Sequence, residues 1–144
     1  MASIFTINID GLKEVHKYLA NLELTENKKQ ELLANIGTVV VFQTRDRFKS
    51  KQSPTGLKWA PWSQEYAKTR HNGHSLLENE GYLKQSIVYK VSSNTVEIGS
   101  DEVYAGTHQY GHKGIPARPY LGINAEDKKE LEVEIIEYLK DLGY

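Results

Sequence analysis

The sequence predicts an α+β fold: a small antiparallel β-sheet, a hairpin plus a third strand, packed against a long N-terminal helix and a C-terminal helix, with a long central loop. Three observations carry that expectation. Apolar residues recur at helical spacing over 26–48 and again over 125–142. Residues 86–91 and 95–99 alternate in polarity on either side of Ser92-Ser93-Asn94, the pattern of a hairpin. Between the first helix and the hairpin, periodicity disappears over Ser50–Ser75 among turn formers and three aromatics.

From Ile4 to Ile9, Phe5, Ile7 and Ile9 alternate with Ile4, Thr6 and Asn8, which fits a short strand at a half-buried edge. Asp10 can cap a short helix in which Leu12, Val15, Tyr18 or Leu19, and Leu22 share a face. Thr25 offers a second cap and opens a helix from Glu26 to about Phe48, whose apolar stripe is Leu32, Leu33, Ile36, Val39, Val40 and Phe42. The run Val39-Val40-Val41-Phe42 is β-prone, and a strand competes there with the helical flanks. The loop Ser50–Ser75 holds Trp59, Trp62 and Tyr66, with room for one helical turn after Pro61. Loops of this length inside a compact domain are functional or partly disordered, and mobility is expected here. Leu76–Lys84 reads as a short turn of helix, and Val103–Gln109 as the third strand. Asn124 then caps a helix from Ala125 to about Leu142, with Glu126 and Asp127 at the positive end of its dipole. Leu131, Ile135, Leu139 and Leu142 line one face, with Ile136 beside them.

With 144 residues, the chain suits one domain with a real core. A formal net charge of -1 leaves no overall basic footprint for nucleic acid. The absence of cysteine removes disulfides, thiolate metal sites and cysteine nucleophiles. MASIFTINIDG lacks the charged and apolar regions of a signal peptide. No stretch approaches the roughly 18 apolar residues that span a bilayer. A soluble, cytoplasmic protein with no membrane partner is expected. Charge is uneven along the chain, however. Arg45–His71 carries seven Lys or Arg against two acids, and Asn124–Tyr144 carries seven acids against three lysines. Opposite segments suit head-to-tail self-association, but two solvated faces that meet no partner would look the same. A basic loop with aromatics could also stack on nucleic acid, although the small net charge argues against strong binding.

The segment Val103–Gly122, VYAGTHQYGHKGIPARPYLG, is the densest in chemistry-bearing residues. His108 and His112 lie four apart, a spacing that aligns two metal ligands on a helix. Gly111 and Gly114 argue against a helix, no Glu follows His108, and no acidic third ligand lies close, even with His71 and His74 counted. Local hydrogen bonding or exposure in loops is the better reading of these histidines. There is no GxSxG elbow, Walker A loop or GxGxxG fingerprint. The acid pairs Glu78/Glu80 and Asp101/Glu102 read as solvated turns. The expectation is no enzyme, no metal and no cofactor. Pro116 and Pro119 stiffen the backbone on either side of Arg118, which can then make a bidentate contact to a carboxylate or a backbone carbonyl.

Several motifs together resemble the phage virion morphogenesis family, the tail-completion proteins of Mu-like and related myophages. They are Leu77…Gly81-x-Leu83-x-x-Ser86, Ile98-Gly99, Tyr104-Ala105, His108-Gln109-Tyr110-Gly111 and Ile115-Pro116-Ala117-Arg118-Pro119-Tyr120-Leu121-Gly122, with Gly56-x-x-Trp59-x-Pro61 upstream. The likeness runs from about Arg45 to Tyr138, and HQYG…IPARPYLG is its most specific part. It implies a structural role without catalysis: closing the growing tail tube and making the tail competent to join the capsid. It also implies a tail-terminator-like fold and a homo-oligomeric ring, a hexamer being the size that would match the tail's symmetry. The partners would be the phage tail tube and head or neck proteins, first in the host cytoplasm and then in the virion. A head-side connector or adaptor is the nearer alternative; a metal-dependent enzyme and a nucleic-acid-binding module are distant ones. The residues expected at assembly contacts are Trp59, Trp62, His108, Gln109, Tyr110, Arg118 and Tyr120. Arg118 and Tyr120 are expected to lock their loop within the subunit or against a neighbouring one.

Overall fold

A computed structural model describes residues 3–8, 25–70, 76–77, 81–92 and 95–143. The Asp10-capped helix, the end of the central loop at 71–75 and the hairpin tip at 93–94 lie outside the described residues. In chain order the elements are β1 (Ser3–Asn8), α1 (Glu26–Ser50), α2 (Gln64–Ala67), α3 (Tyr82–Ser86), β2 (Val88–Ser92), β3 (Thr95–Ser100), α4 (Ala105–Tyr110) and α5 (Ala125–Asp141). The fold is α+β, as expected.

Among the described residues the sheet has three strands, in the order β1-β3-β2. The hairpin is present, but the third strand is not Val103–Gln109. That segment forms α4, and β1 takes the place beside β3 as the edge strand read from Ile4–Ile9. The backbone there coils, so that His108 N–H reaches Tyr104 O and Gly111 N–H reaches Thr107 O. Gly111, at φ +78°, then ends the turn in a conformation that side-chain-bearing residues rarely adopt.

Thr25 caps α1 as expected, its Oγ1 accepting from Lys28 N–H at 3.2 Å. The helix runs unbroken through Val39–Phe42, so the β-prone run yields to its flanks. Phe42 is not on the buried stripe: it is 60% exposed, because its azimuth is shared with Glu31, Asn35 and Thr38 on the solvent side. The short helix expected over Leu76–Lys84 begins instead at Tyr82, since Gly81 takes a left-handed conformation immediately before it. A single helical turn follows Pro61, capped by Ser63, whose hydroxyl accepts from Tyr66 N–H.

The chain forms two compact units. One comprises residues 1–4, Thr44–Ile87 and Gly99–Gly122. Its interior contains Phe48, Trp59, Leu83, Ile87, Ala105, Tyr120 and Leu121. Phe48 meets Trp59 edge-on at 5.6 Å and Tyr120 at 5.8 Å between ring centroids. The other unit comprises Phe5–Gln43, Val88–Ile98 and Ile123–Tyr144. It buries Leu32, Leu33, Ile36, Val40 and Val41 of α1, Val96 and Ile98 of β3, and Leu131, Ile135 and Leu139 of α5. Gly37 is required there: a Cβ at this position would lie 2.5 Å from the ring of Tyr89. At the start of α5 Asn124 and Asp127 form a capping box, the Asn124 side chain accepting from Asp127 N–H at 2.7 Å.

Candidate functional site

The glycine- and proline-rich half of the distinctive segment becomes a strap, and four side chains fix it. After Gly111 the chain makes a tight turn closed by reciprocal backbone bonds between His112 and Ile115. It then runs extended past α4, where Arg118 N–H donates to His108 O at 2.7 Å. Gln109 projects from α4 and its Oε1 accepts from both Tyr120 N–H and Leu121 N–H at 3.0 Å. Trp59 Nε1 donates to Pro119 O at 2.7 Å, and buried Arg47 of α1 donates to Tyr120 O at 2.8 Å. Tyr120 is wholly buried and its hydroxyl donates to Ala105 O at 3.0 Å. An extended strap has no ladder to satisfy its backbone, so these donors and acceptors replace one.

Arg118 works in the opposite direction, from the strap onto the central loop. Its Nε donates to Ala60 O at 2.8 Å and its Nη2 to Pro61 O at 2.9 Å. The two carbonyls are adjacent, so the planar guanidinium fork bridges successive peptide units. Of the acceptors the sequence left open, a carboxylate or a backbone carbonyl, the guanidinium takes two carbonyls, and it takes them within the chain. Burial holds the guanidinium pKa below its ordinary value, with the Tyr66 phenol acting in the other direction.

Beside the strap lies a cavity of about 730 Å³, walled by Trp62, Tyr66, Tyr82, Leu83, Tyr104 and Ile115, with His108, Arg70 and Arg118 at its polar edge. Trp62 and Tyr66 meet edge-on at 6.2 Å, and the Arg70 guanidinium sits 4.5 Å from the centre of the Tyr66 ring. His108 packs edge-on to Tyr104 at 5.7 Å. Its Nδ1 is buried without a hydrogen-bond partner. Burial, and secondarily the Arg118 charge, lower its pKa below 6.5 and keep the imidazole neutral.

The candidate residues therefore fall into two groups. Trp59, Gln109, Arg118 and Tyr120 converge on the strap and spend their polar atoms inside the chain. Trp62 and His108 face the cavity, and Tyr110 stands 68% exposed at the end of α4. His112 is exposed in the turn, and His71 and His74 lie outside the described residues. Among the described residues no three His, Cys, Asp or Glu side chains group as metal ligands. No helix is long and apolar enough to cross a membrane among the same residues. Arg47 was missed, having been counted as one more charge of the basic segment. Its signal was present: it continues the buried spacing Ile36, Val40, Thr44 on α1.

Buried arginines bonded to carbonyls, an amide clasping two backbone N–H groups and an aromatic cavity define a shape-holding structural domain. The chain belongs to the phage virion morphogenesis family, whose model matches residues 10–140. It is 30% identical over 118 residues to Mu-like prophage FluMu G protein 1 of Haemophilus influenzae, covering 78% of this chain and 81% of that one. The putative capsid assembly protein G of Escherichia phage Mu shares 28% identity over 109 residues, 67% of this chain and 70% of that protein. FluMu G protein 2 of Haemophilus influenzae shares 26% over 141 residues, 93% and 95% of the two chains. No solved structure matches the chain. Its place is among the proteins that build phage virions.

Proposed function

We propose that this protein completes the phage tail and makes it competent for stable joining to the head, acting as a homo-oligomeric ring on the tail tube. The observation that supports the reading is the investment around the strap. Arg47, Trp59, Gln109 and Arg118 hold the residue 118–121 backbone in one shape, while apolar Val103, Tyr110 and Ile115 on the same segment stay exposed. Rigid presentation of apolar surface serves docking, since little ordering entropy is lost on contact. The opposite charge of the 45–71 and 124–144 segments is consistent with unlike surfaces of successive copies meeting.

The phage Mu relative is named a putative capsid assembly protein, which favours a second reading as a head-side connector. Deleting the gene from the phage or prophage that carries it, followed by electron microscopy of the lysate, separates the two. Tail completion predicts filled heads beside unjoined tails with defective ends, and purified protein restores joining when added to the tails. Normal tails beside heads that only added protein makes competent would replace the first reading with the second.

A further inference from the structure

β1 and β2 are the two edges of the sheet, with β3 between them. An edge strand presents a row of backbone N–H and C=O groups, and natural sheets blunt such edges with charges, proline or bulges. Here that protection is thin. β1 reads SIFTIN, without charge, glycine or proline, and β2 reads VYKVS, with one lysine. β2 is also poorly covered: Val88, Tyr89, Lys90 and Ser92 are exposed and Val91 is half-buried. The Tyr89 ring covers Gly37, so β2 packs by one face on α1 while its outer edge has no neighbour among the described strands.

We propose that β2 of one copy pairs with β1 of the next, extending the sheet head to tail in the order β1-β3-β2-β1-β3-β2. The inference rests on the self-assembling reading above and names the surfaces that carry it. A second copy is the occupant that fits, because among the described residues the sheet has one edge strand at each end and the two match in length, six residues and five. Pairing of unlike edges is heterologous, so each addition leaves the same two edges available, and closure into a ring leaves none. Pairing of β2 with β2 would instead stop at a dimer and leave both β1 strands bare. Backbone bonding of this kind needs little side-chain identity, which suits strands carrying so little charge.

The chain has no cysteine, so introduced thiols report cleanly. Thr6 is exposed on β1, and a Thr6→Cys variant is mixed under mild oxidation with variants carrying cysteine at each β2 position in turn. Directly opposed residues place their Cβ atoms about 4.5–5.5 Å apart, close enough for a disulfide after small adjustment. The expected product runs near twice the 16.4 kDa chain, forms only in the mixture, and recurs at alternate β2 positions. Sedimentation of the wild type is measured alongside. An oligomeric wild type that links at no β2 position, or only β2 to β2, overturns the edge pairing and leaves the assembly reading standing. A wild type that stays monomeric at every concentration and gives no link overturns both.

Discussion

Arg118→Ala is the most direct perturbation of the strap. Arg118 is 7% exposed, and its guanidinium makes two bonds, to Ala60 O at 2.8 Å and Pro61 O at 2.9 Å. A hydrogen bond with one charged partner contributes about 1.5–3 kcal/mol net, and truncation also leaves two carbonyls to find other donors. Against this stands the relief of desolvating a cation, so the expected loss is about 3 kcal/mol rather than the sum of the extremes. For a domain of this size that lowers Tm by roughly 10 °C. Calorimetry reads the loss, and fluorescence locates it, because both tryptophans of the chain, Trp59 and Trp62, flank the two carbonyls. Arg118→Lys keeps the charge but replaces a fork with a point donor, so about half the loss should remain. An Arg118→Ala protein that melts with the wild type and keeps its tryptophan emission would sink the reasoning.

Asn124→Ala removes half of the capping box and should cost about 1 kcal/mol, seen as a small fall in Tm, whereas Asn124→Asp should be nearly neutral. Gly111→Ala combines a left-handed φ of +78° with a Cβ 2.9 Å from Ile115 O and 3.0 Å from Ala117 N, and calorimetry should show a loss of about 3 kcal/mol. His108 is neutral in the fold and its pKa lies below 6.5, so the unfolded chain binds the proton more readily. Stability from this group is therefore complete above pH 6.5 and is lost as pH falls from there toward the depressed value, levelling off below it. The slope of Tm against pH in that window should flatten in His108→Gln; an equal slope in both proteins would assign the effect elsewhere.

Local signals account for what the sequence made legible. α5 could be read because Asn124 and Asp127 cap it and Leu131, Ile135 and Leu139 recur on one face, all within a single element. α1 was legible for the same reason, and Val39–Val41 could not divert it once the flanking turns were helical. Val103–Gln109 failed because its fate depends on distant partners. Tyr120 OH reaches back to Ala105 O, and Gln109 clasps the Tyr120 and Leu121 amides; neither contact has a signature within seven residues of chain. At the candidate site, the stiff prolines and the forked arginine pointed to a two-pronged contact and left its acceptor, carboxylate or carbonyl, open. Which carbonyls it takes, Ala60 and Pro61, is a property of tertiary structure, 58 and 57 residues away in sequence. Arg47 shows the converse: its helical spacing marked it as buried, but its charge drew it into a surface tally.

The nature of the clamp bears on what the strap can do in an assembly. An exposed ion pair holding the strap would weaken as salt rose and would compete with charged partners arriving at the same surface. Each of the three donors reaches a neutral carbonyl: Arg47 on Tyr120, Arg118 on Ala60 and Pro61, Trp59 on Pro119. All three side chains are buried, and of the three only Arg118 borders the cavity. These bonds to carbonyls depend little on the charge of the surface. In the ring proposed above, the 45–71 and 124–144 segments would set the rate and orientation of encounter, a salt-dependent quantity, without altering the surface that is finally presented. The same division explains why Arg47, although part of the basic segment, contributes to the interior instead of the field outside it.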